Sequence, residues 1–133
     1  MISHTIPIRI YYEDTDAGGV VYHARYINFA ERARAEMLRD MGFQSSDIAK
    51  QLGMHFVVAN LEINYMKPAF LDDLLSLKTS VLEIKNSSFI LKHEFFRGDE
   101  SIANINVTLV CVSVDGIKPV RMPEELRKAF QDA

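Results

Sequence analysis

Apolar and polar positions change rhythm three times along the chain, and each change marks an element. Residues Thr5 to Tyr12 are rich in Ile, Arg and Tyr and read as a strand, closed by the polar, glycine-bearing run Glu13-Asp14-Thr15-Asp16-Ala17-Gly18-Gly19. From about Ala24 the period becomes helical. Tyr26, Phe29/Ala30, Ala33, Met37 and Met41 recur on one side, while Arg32, Glu36, Arg39 and Asp40 occupy the other. Gly42 is placed to end that helix. A short second helix is expected from Ser46 to Leu52, with Ser45 or Ser46 as N-cap and Gly53 as exit.

After Gly53 the pattern is strand-like for about sixty residues, punctuated by turn signals at Pro68, Asp72-Asp73, Asn86-Ser87-Ser88, Gly98-Asp99 and Asp115-Gly116. Four long strands fit between them. In the first, the alternation places Val57, Ala59, Leu61, Ile63 and Tyr65 on a buried face and Asn60, Glu62 and Asn64 on a polar one. The strand from Ser101 to Val114 sets Ala103, Ile105, Val107, Leu109 and Cys111 against Asn104, Asn106 and Thr108. A closing helix is expected to begin at Pro123, whose ring suits a first turn, with Glu124 and Glu125 favourable to the helix dipole. The order of strand, long helix and several antiparallel strands implies an α+β protein in which one helix covers one sheet.

A chain of 133 residues, 48% apolar and 25% charged, is long enough for one hydrophobic core, so a single domain spanning residues 1–133 is expected. Fifteen basic residues against eighteen acidic ones give a net charge of −3, and the signs are interspersed. No basic stripe points to nucleic acid or to an anionic membrane. Cys111 is alone, so no internal disulfide can form, and a buried thiol in a reducing compartment is expected. No run is long enough for a transmembrane segment, and MISHTIPIRI lacks the build of a signal peptide; the expected setting is cytoplasmic.

The stretch from Tyr11 to His23 concentrates ionisable and hydroxyl groups between a strand and a helix, where loops often carry function. Its spacing does not match a calcium EF-hand, which needs an oxygen ligand at Gly18 and a glutamate at Arg25, nor a P-loop, which ends in Gly-Lys-Ser/Thr. His4, His23, His55 and His93 are scattered and form no zinc pattern. There remain a carboxylate at Asp16, two glycines that permit a chain reversal, and a helix start. Unpaired N–H groups around Tyr22 and His23 are candidates to hydrogen-bond an oxygen that turns negative when a carbonyl is attacked. A thioester suits such a site, because its thiol leaves as thiolate without a strong general acid.

At these residues the sequence resembles the hotdog-fold acyl-CoA thioesterases related to 4-hydroxybenzoyl-CoA thioesterase, in particular the YbgC-like branch associated with the Tol–Pal system. The matching residues are Arg9-Ile10, Thr15-Asp16, Gly19-Val20-Val21, His23, Tyr26 and Glu31-Arg32-Ala33-Arg34. The likeness continues in Tyr65-Met66-Lys67-Pro68-Ala69-Phe70-Leu71-Asp72-Asp73 and Arg121-Met122-Pro123. It implies a hotdog fold, a curved antiparallel sheet wrapped around a long central helix. It implies a homo-oligomer, a dimer or a dimer of dimers (homotetramer), with active sites at the dimer interface. It implies hydrolysis of acyl-CoA, with coenzyme A as part of the substrate and no separate cofactor or metal; carrier-protein-linked acyl groups stay open as substrates.

Carried over by residue, Asp16 is the catalytic aspartate, as nucleophile or as general base. His23 and Tyr12 are implied site residues, assigned to orienting the thioester or water and to hydrogen-bonding the Asp16 carboxylate. Asp14 is read as a turn residue. Arg32 and Glu36 have the spacing of a surface pair, and His55 and His93 read as hydrogen-bonded structural histidines. Lys67, Arg97, Lys118 and Arg121 are the candidate cations for coenzyme A phosphates. The rival reading is a non-catalytic hotdog protein that binds acyl-CoA or acyl carrier protein as a sensor or scaffold; a hotdog dehydratase lacks its own His/acidic signature here.

Overall fold

The computed structural model of the chain describes residues 1–116 and 118–132. Strand β1 (Ser3–Arg9) leads through a 3-10 turn at Tyr12–Asp14 into helix α1 (Arg25–Asp40). A 3-10 turn at Ser45–Asp47 and helix α2 (Ile48–Leu52) follow, then strands β2 (Met54–Tyr65), β3 (Leu74–Ile84), β4 (Ser88–Arg97) and β5 (Glu100–Ser113), and helix α3 (Glu124–Gln131). The five strands form one antiparallel sheet in the order β1-β3-β4-β5-β2. This is the hotdog arrangement that the resemblance implies.

Alternation in the three inner strands builds the core. Leu75, Leu77 and Val81 of β3, Phe89, Leu91 and Phe95 of β4, and Ala103, Ile105, Val107, Leu109 and Cys111 of β5 are buried on one face. Tyr26, Phe29, Ala30, Ala33, Met37 and Leu38 of α1 are buried with them. Each large side chain so buried contributes roughly 1.5–3 kcal/mol. Cys111 is a free thiol in this core, and burial pushes its pKa up to about 11. Helix α1 ends in a Schellman motif: Phe43 N–H donates to Leu38 O (2.8 Å) and Gly42 N–H to Arg39 O (3.0 Å), with Gly42 at φ +96°.

Four expectations need correction. Strand β1 stops at Arg9 rather than Tyr12, because its partner β3 begins at Leu74 and the Arg9↔Leu74 pair is the last of the ladder. Beyond it, Tyr11 N–H turns to the Asp14 carboxylate (2.8 Å), which folds Tyr12 into the 3-10 turn. In β2 the buried face is not the odd-numbered one throughout. Ala59 is an extra residue in a bulge between the pairs Val58↔Leu109 and Asn60↔Thr108, so Met54, Phe56 and Val58 share a face with Leu61, Ile63 and Tyr65. Val57 and Ala59 are exposed. Neither Ser45 nor Ser46 caps the second helix, since Asp47 N–H donates to Gln44 O (2.9 Å) and no side-chain cap bond forms. Glu36 pairs with Arg39 rather than Arg32, whose guanidinium lies 5.8 Å from the Phe29 ring centre.

The two strand histidines also part company. His93 is fully buried under α1, with Nδ1 2.9 Å from Thr79 Oγ1 and Nε2 3.4 Å from the Arg34 guanidinium. His55 has a buried Nε2 with no hydrogen-bond partner among the described residues, against the expectation of a satisfied ring. Burial, with the Arg34 charge adding to it, pushes the His93 pKa down to about 3 from 6.5. Between those values the unfolded chain binds a proton that the folded chain refuses. Stability is therefore complete above pH 6.5 and falls as the pH drops toward 3, at up to about 1.4 kcal/mol per pH unit. Urea midpoints should fall from pH 7 to pH 4.5, and the decline should be shallower in His93→Asn than in the parent. An unchanged decline would refute that origin.

Candidate active site

The segment between β1 and α1 is built around Asp14. Its carboxylate is 4% exposed and receives Tyr11 N–H on Oδ2 and the Arg25 guanidinium on Oδ1 (Nε 3.1 Å, Nη2 2.7 Å). Its carbonyl accepts Tyr22 N–H (2.9 Å). One residue thus ties the end of β1, the first turn of α1 and the segment between them. The turn role read for Asp14 is what these bonds describe.

On that anchor the chain makes a tight hairpin. Thr15 bridges Val21, Asp16 N–H donates to Val20 O (3.0 Å), and Gly19 N–H donates to Asp16 O (3.0 Å). Gly19 sits at φ +79°, a left-handed conformation that a residue with a Cβ adopts only under strain. Gly18 meets the carboxylate directly: its N–H donates to Asp16 Oδ1 (2.9 Å), and a Cβ there would lie 3.3 Å from that same oxygen, a close contact. The Asp16 side chain is exposed, and among the described residues its second carboxylate oxygen has no donor.

The hairpin docks on the loop between β2 and β3. Val20 bridges Phe70, and Val21 N–H donates to Ala69 O (2.9 Å). That loop is held by Arg97, which donates to Asp73 Oδ2 (2.7 Å), Glu100 Oε1 (2.7 Å) and Pro68 O (3.2 Å); Asp73 Oδ2 also accepts Phe70 N–H (2.9 Å). Lys67 Nζ completes the cluster on Glu100 Oε2 (2.8 Å). Hydrogen bonds from Lys67 and Arg97 hold the Glu100 carboxyl below its ordinary range.

Of the expected site residues, the fold brings the Asp16 turn and the His23 segment to the start of α1, but joins neither His23 nor Tyr12 to the Asp16 carboxylate in the protomer. The His23 ring packs against Tyr22 with centroids 4.5 Å apart, and its carbonyl accepts the Tyr65 hydroxyl (2.7 Å). Tyr12 is 82% exposed, and its carbonyl accepts Thr15 N–H and Oγ1–H. The Tyr22 N–H is taken by Asp14 O, so it offers nothing to a substrate; the His23 N–H has no acceptor among the described residues.

Three contributors escaped the sequence reading. Arg25 clamps Asp14; Tyr65, from β2, fixes the His23 carbonyl and packs on Tyr26 at 5.6 Å; and Asp73 aligns the docking loop. Tyr65 and Asp73 bound the run Tyr65 to Asp73 already marked as similar, which was the available signal. The cations expected for phosphates divide. Lys67 and Arg97 are engaged by carboxylates, while Arg121 donates to Asn86 Oδ1 (2.6 Å). Arg121 and Lys118 lie at the end of the sheet opposite the hairpin, a strand length of roughly 30 Å away. Among the described residues no three His, Cys, Asp or Glu side chains gather to hold a metal, and no helix is long and apolar enough to cross a membrane.

An accessible carboxylate with one oxygen fixed and the other open can attack a carbonyl carbon or deprotonate water, and an unpaired N–H before a helix can receive the carbonyl oxygen that becomes negative. A family model described as the thioesterase-like superfamily matches residues 11–130. The chain is 43% identical to the acyl-CoA thioesterase YbgC of Haemophilus influenzae over 126 residues, 95% of this chain and 93% of the relative. It is 39% identical to the acyl-CoA thioester hydrolase YbgC of Escherichia coli over 127 residues, 94% and 93% of the two chains. A probable thioesterase from Bartonella henselae of known crystal structure superposes with a TM-score of 0.85 at 37% identity, covering 92% of this chain and all of the other.

Proposed function

The chain belongs to the thioesterase-like superfamily, and from that premise we propose that it hydrolyses acyl-CoA thioesters to a carboxylate and free coenzyme A. The observation that carries the reading is the Asp16 carboxylate, pinned at one oxygen by Gly18 N–H and open at the other. The names borne by the relatives support the same chemistry.

Two routes use this carboxylate. As general base, Asp16 takes a proton from water as the water oxygen bonds to the thioester carbon. As nucleophile, its open oxygen bonds to that carbon, and water then cleaves the resulting anhydride. In both the C–S bond breaks and the sulfur leaves as thiolate, which needs little help given a thiol pKa of roughly 8.5. The His23 N–H is assigned to the carbonyl oxygen, and the His23 and Tyr12 side chains to orienting the thioester or water. No cofactor beyond the substrate's own coenzyme A enters this scheme.

A second copy of the chain completes the assignment. Asp16, Tyr12, Tyr22 and His23 are all exposed in one protomer. Of the two edge strands, β1 and β2, it is β2 that with its exit exposes Val57, Val58, Tyr65 and Met66. Pairing along that edge covers apolar surface and excludes water near the hairpin, so a homodimer or a dimer of dimers is the assembly we assign. A cytoplasmic setting agrees with the single free thiol.

Release of free thiol from a panel of acyl-CoAs and acyl carrier proteins, followed with a thiol reagent, is expected to show turnover on at least one acyl class. Stoichiometric binding of every member without thiol release would overturn hydrolysis in favour of a sensor or scaffold.

A further inference from the structure

Helix α1 and the neighbouring β1-to-β3 side of the sheet pack closely, while the sheet near β5 and β2 is left uncovered by the helix. Between α1 and that part of the sheet runs a groove of about 700 Å³, with Phe56, Phe89, Leu91 and Leu109 among its apolar lining. It begins at Arg25, the residue that clamps Asp14 below the Asp16 hairpin, and follows α1 to Ile48 and Phe130.

Its walls carry four arginines and one glutamate, and the arginines are not equivalent. Arg25 is neutralised by Asp14, Arg39 by Glu36, and Arg32 lies over the Phe29 ring. Arg34 is half-buried with no carboxylate partner among the described residues. Its one hydrogen-bond partner among the described residues is the neutral imidazole of His93, at 3.4 Å. Since that guanidinium donates to Nε2, His93 carries its proton on Nδ1 and donates to Thr79 Oγ1. Glu31 lines the same groove three residues away but is exposed and makes no ion pair with Arg34. Burial lowers the Arg34 pKa, with Glu31 acting weakly in the other direction. A guanidinium has five donors in a planar fork matched to a carboxylate, and a partly buried one with a single long bond leaves most of them unpaired.

We propose that the groove receives the acyl group with Arg34 partway along its α1 wall, so that the enzyme selects chains that bring a terminal carboxylate to Arg34, the mono-CoA thioesters of dicarboxylic acids, over chains of equal length ending in a methyl. The inference rests on the thioesterase reading and deepens it. From the His23 N–H to Arg34 the helix rises roughly 16 Å, and the arginine side chain, tilted toward the N-terminus, takes back roughly 6 Å. The remaining ~10 Å is spanned by an extended chain of about eight carbons at ~1.2 Å per bond.

Binding rather than turnover tests this. Asp16→Asn protein, with hydrolysis suppressed, is titrated with octanoyl-CoA, with the mono-CoA thioester of octanedioic acid and with coenzyme A alone. The same titrations are made with Arg34→Met and Arg34→Lys added. With Arg34 present the carboxylated chain is expected to bind at least about tenfold tighter than octanoyl-CoA. That ratio should collapse toward one in Arg34→Met and return in part in Arg34→Lys, while coenzyme A alone binds equally to all three. Equal affinities with Arg34 in place overturn the proposal, and this arm decides even where Arg34→Met does not fold. So does a ratio that survives Arg34→Met while coenzyme A binding weakens, which would assign Arg34 to the phosphates. A surviving ratio with an altered oligomer mass would assign it to contact between copies, and equally refute the proposal. Absence of hydrolysis by the unmodified protein would fail the thioesterase reading alone, because the ratio is read without turnover.

Discussion

Asp16→Asn should lower thiol release by at least about a thousandfold, in line with the loss of a positioned base or nucleophile, while the melting curve stays close to that of the parent. The two expectations come from different atoms of one side chain. Asparagine keeps an oxygen that accepts Gly18 N–H, so the bond that shapes the hairpin survives. What it loses is the negative charge on the open oxygen, which is what attacks carbon or water. Gly18 tolerates the change, because its contact with Oδ1 is the same in both side chains. Near-parental rates in a well-folded Asp16→Asn protein would remove Asp16 from the chemistry and with it the mechanism argued here.

Asp14→Ala should do the reverse, with stability as the first loss. The carboxylate is 4% exposed and shared between Tyr11 N–H and two nitrogens of Arg25, whose own side chain is 26% exposed. Removing it strands a backbone donor and a largely buried guanidinium, a class of change that costs about 3–5 kcal/mol. A shift of the melting temperature by roughly 10 °C or more is expected for a chain of this size. Hydrolysis should fall as well, since Tyr22 and the hairpin are both positioned through Asp14. A melting temperature within 2 °C or so of the parent would show that the clamp carries no such weight. Two aspartates two positions apart thus separate by melting: Asp16→Asn loses rate with its stability kept, and Asp14→Ala loses both.

Which parts of this were legible beforehand follows from how far apart the interacting residues lie. From Ala103 to Cys111 strand β5 alternates without interruption, and its buried set there was read correctly. Strand β2 defeats the same reading because one extra residue at Ala59 inverts the phase, and nothing in Val57-Val58-Ala59-Asn60 announces a bulge. The end of β1 depends on where its partner starts, so Tyr11 and Tyr12 look like strand residues until Leu74 is placed opposite Arg9. Gly42 and Gly53 were readable as helix exits, since a left-handed residue at that place is a local demand. The helix-2 cap was not, because the backbone of Gln44 answers Asp47 before a serine hydroxyl is needed.

The site divides in the same way. Asp16 and its glycines sit within four residues and declare themselves. The Arg25 clamp, the Tyr65 hydroxyl on His23 and the Arg97–Asp73 pair span 11, 42 and 24 residues, and only the folded chain brings them together. Arg34 and His93 are 59 residues apart: His93 was legible as a hydrogen-bonded structural histidine, while its partner Arg34 stood only as part of the matching run Glu31 to Arg34.

Cys111 has a practical consequence for every rate measured on this protein. It is the chain's one sulfhydryl, and with a pKa of about 11 its ionised fraction at pH 7 is on the order of 10⁻⁴. Buried and protonated, it is a poor target for the disulfide reagents that turn coloured on meeting released coenzyme A. The folded protein should leave such an assay colourless until substrate is added, so the absorbance counts product without a correction for the catalyst. Colour that develops before substrate becomes a direct count of molecules that have unfolded.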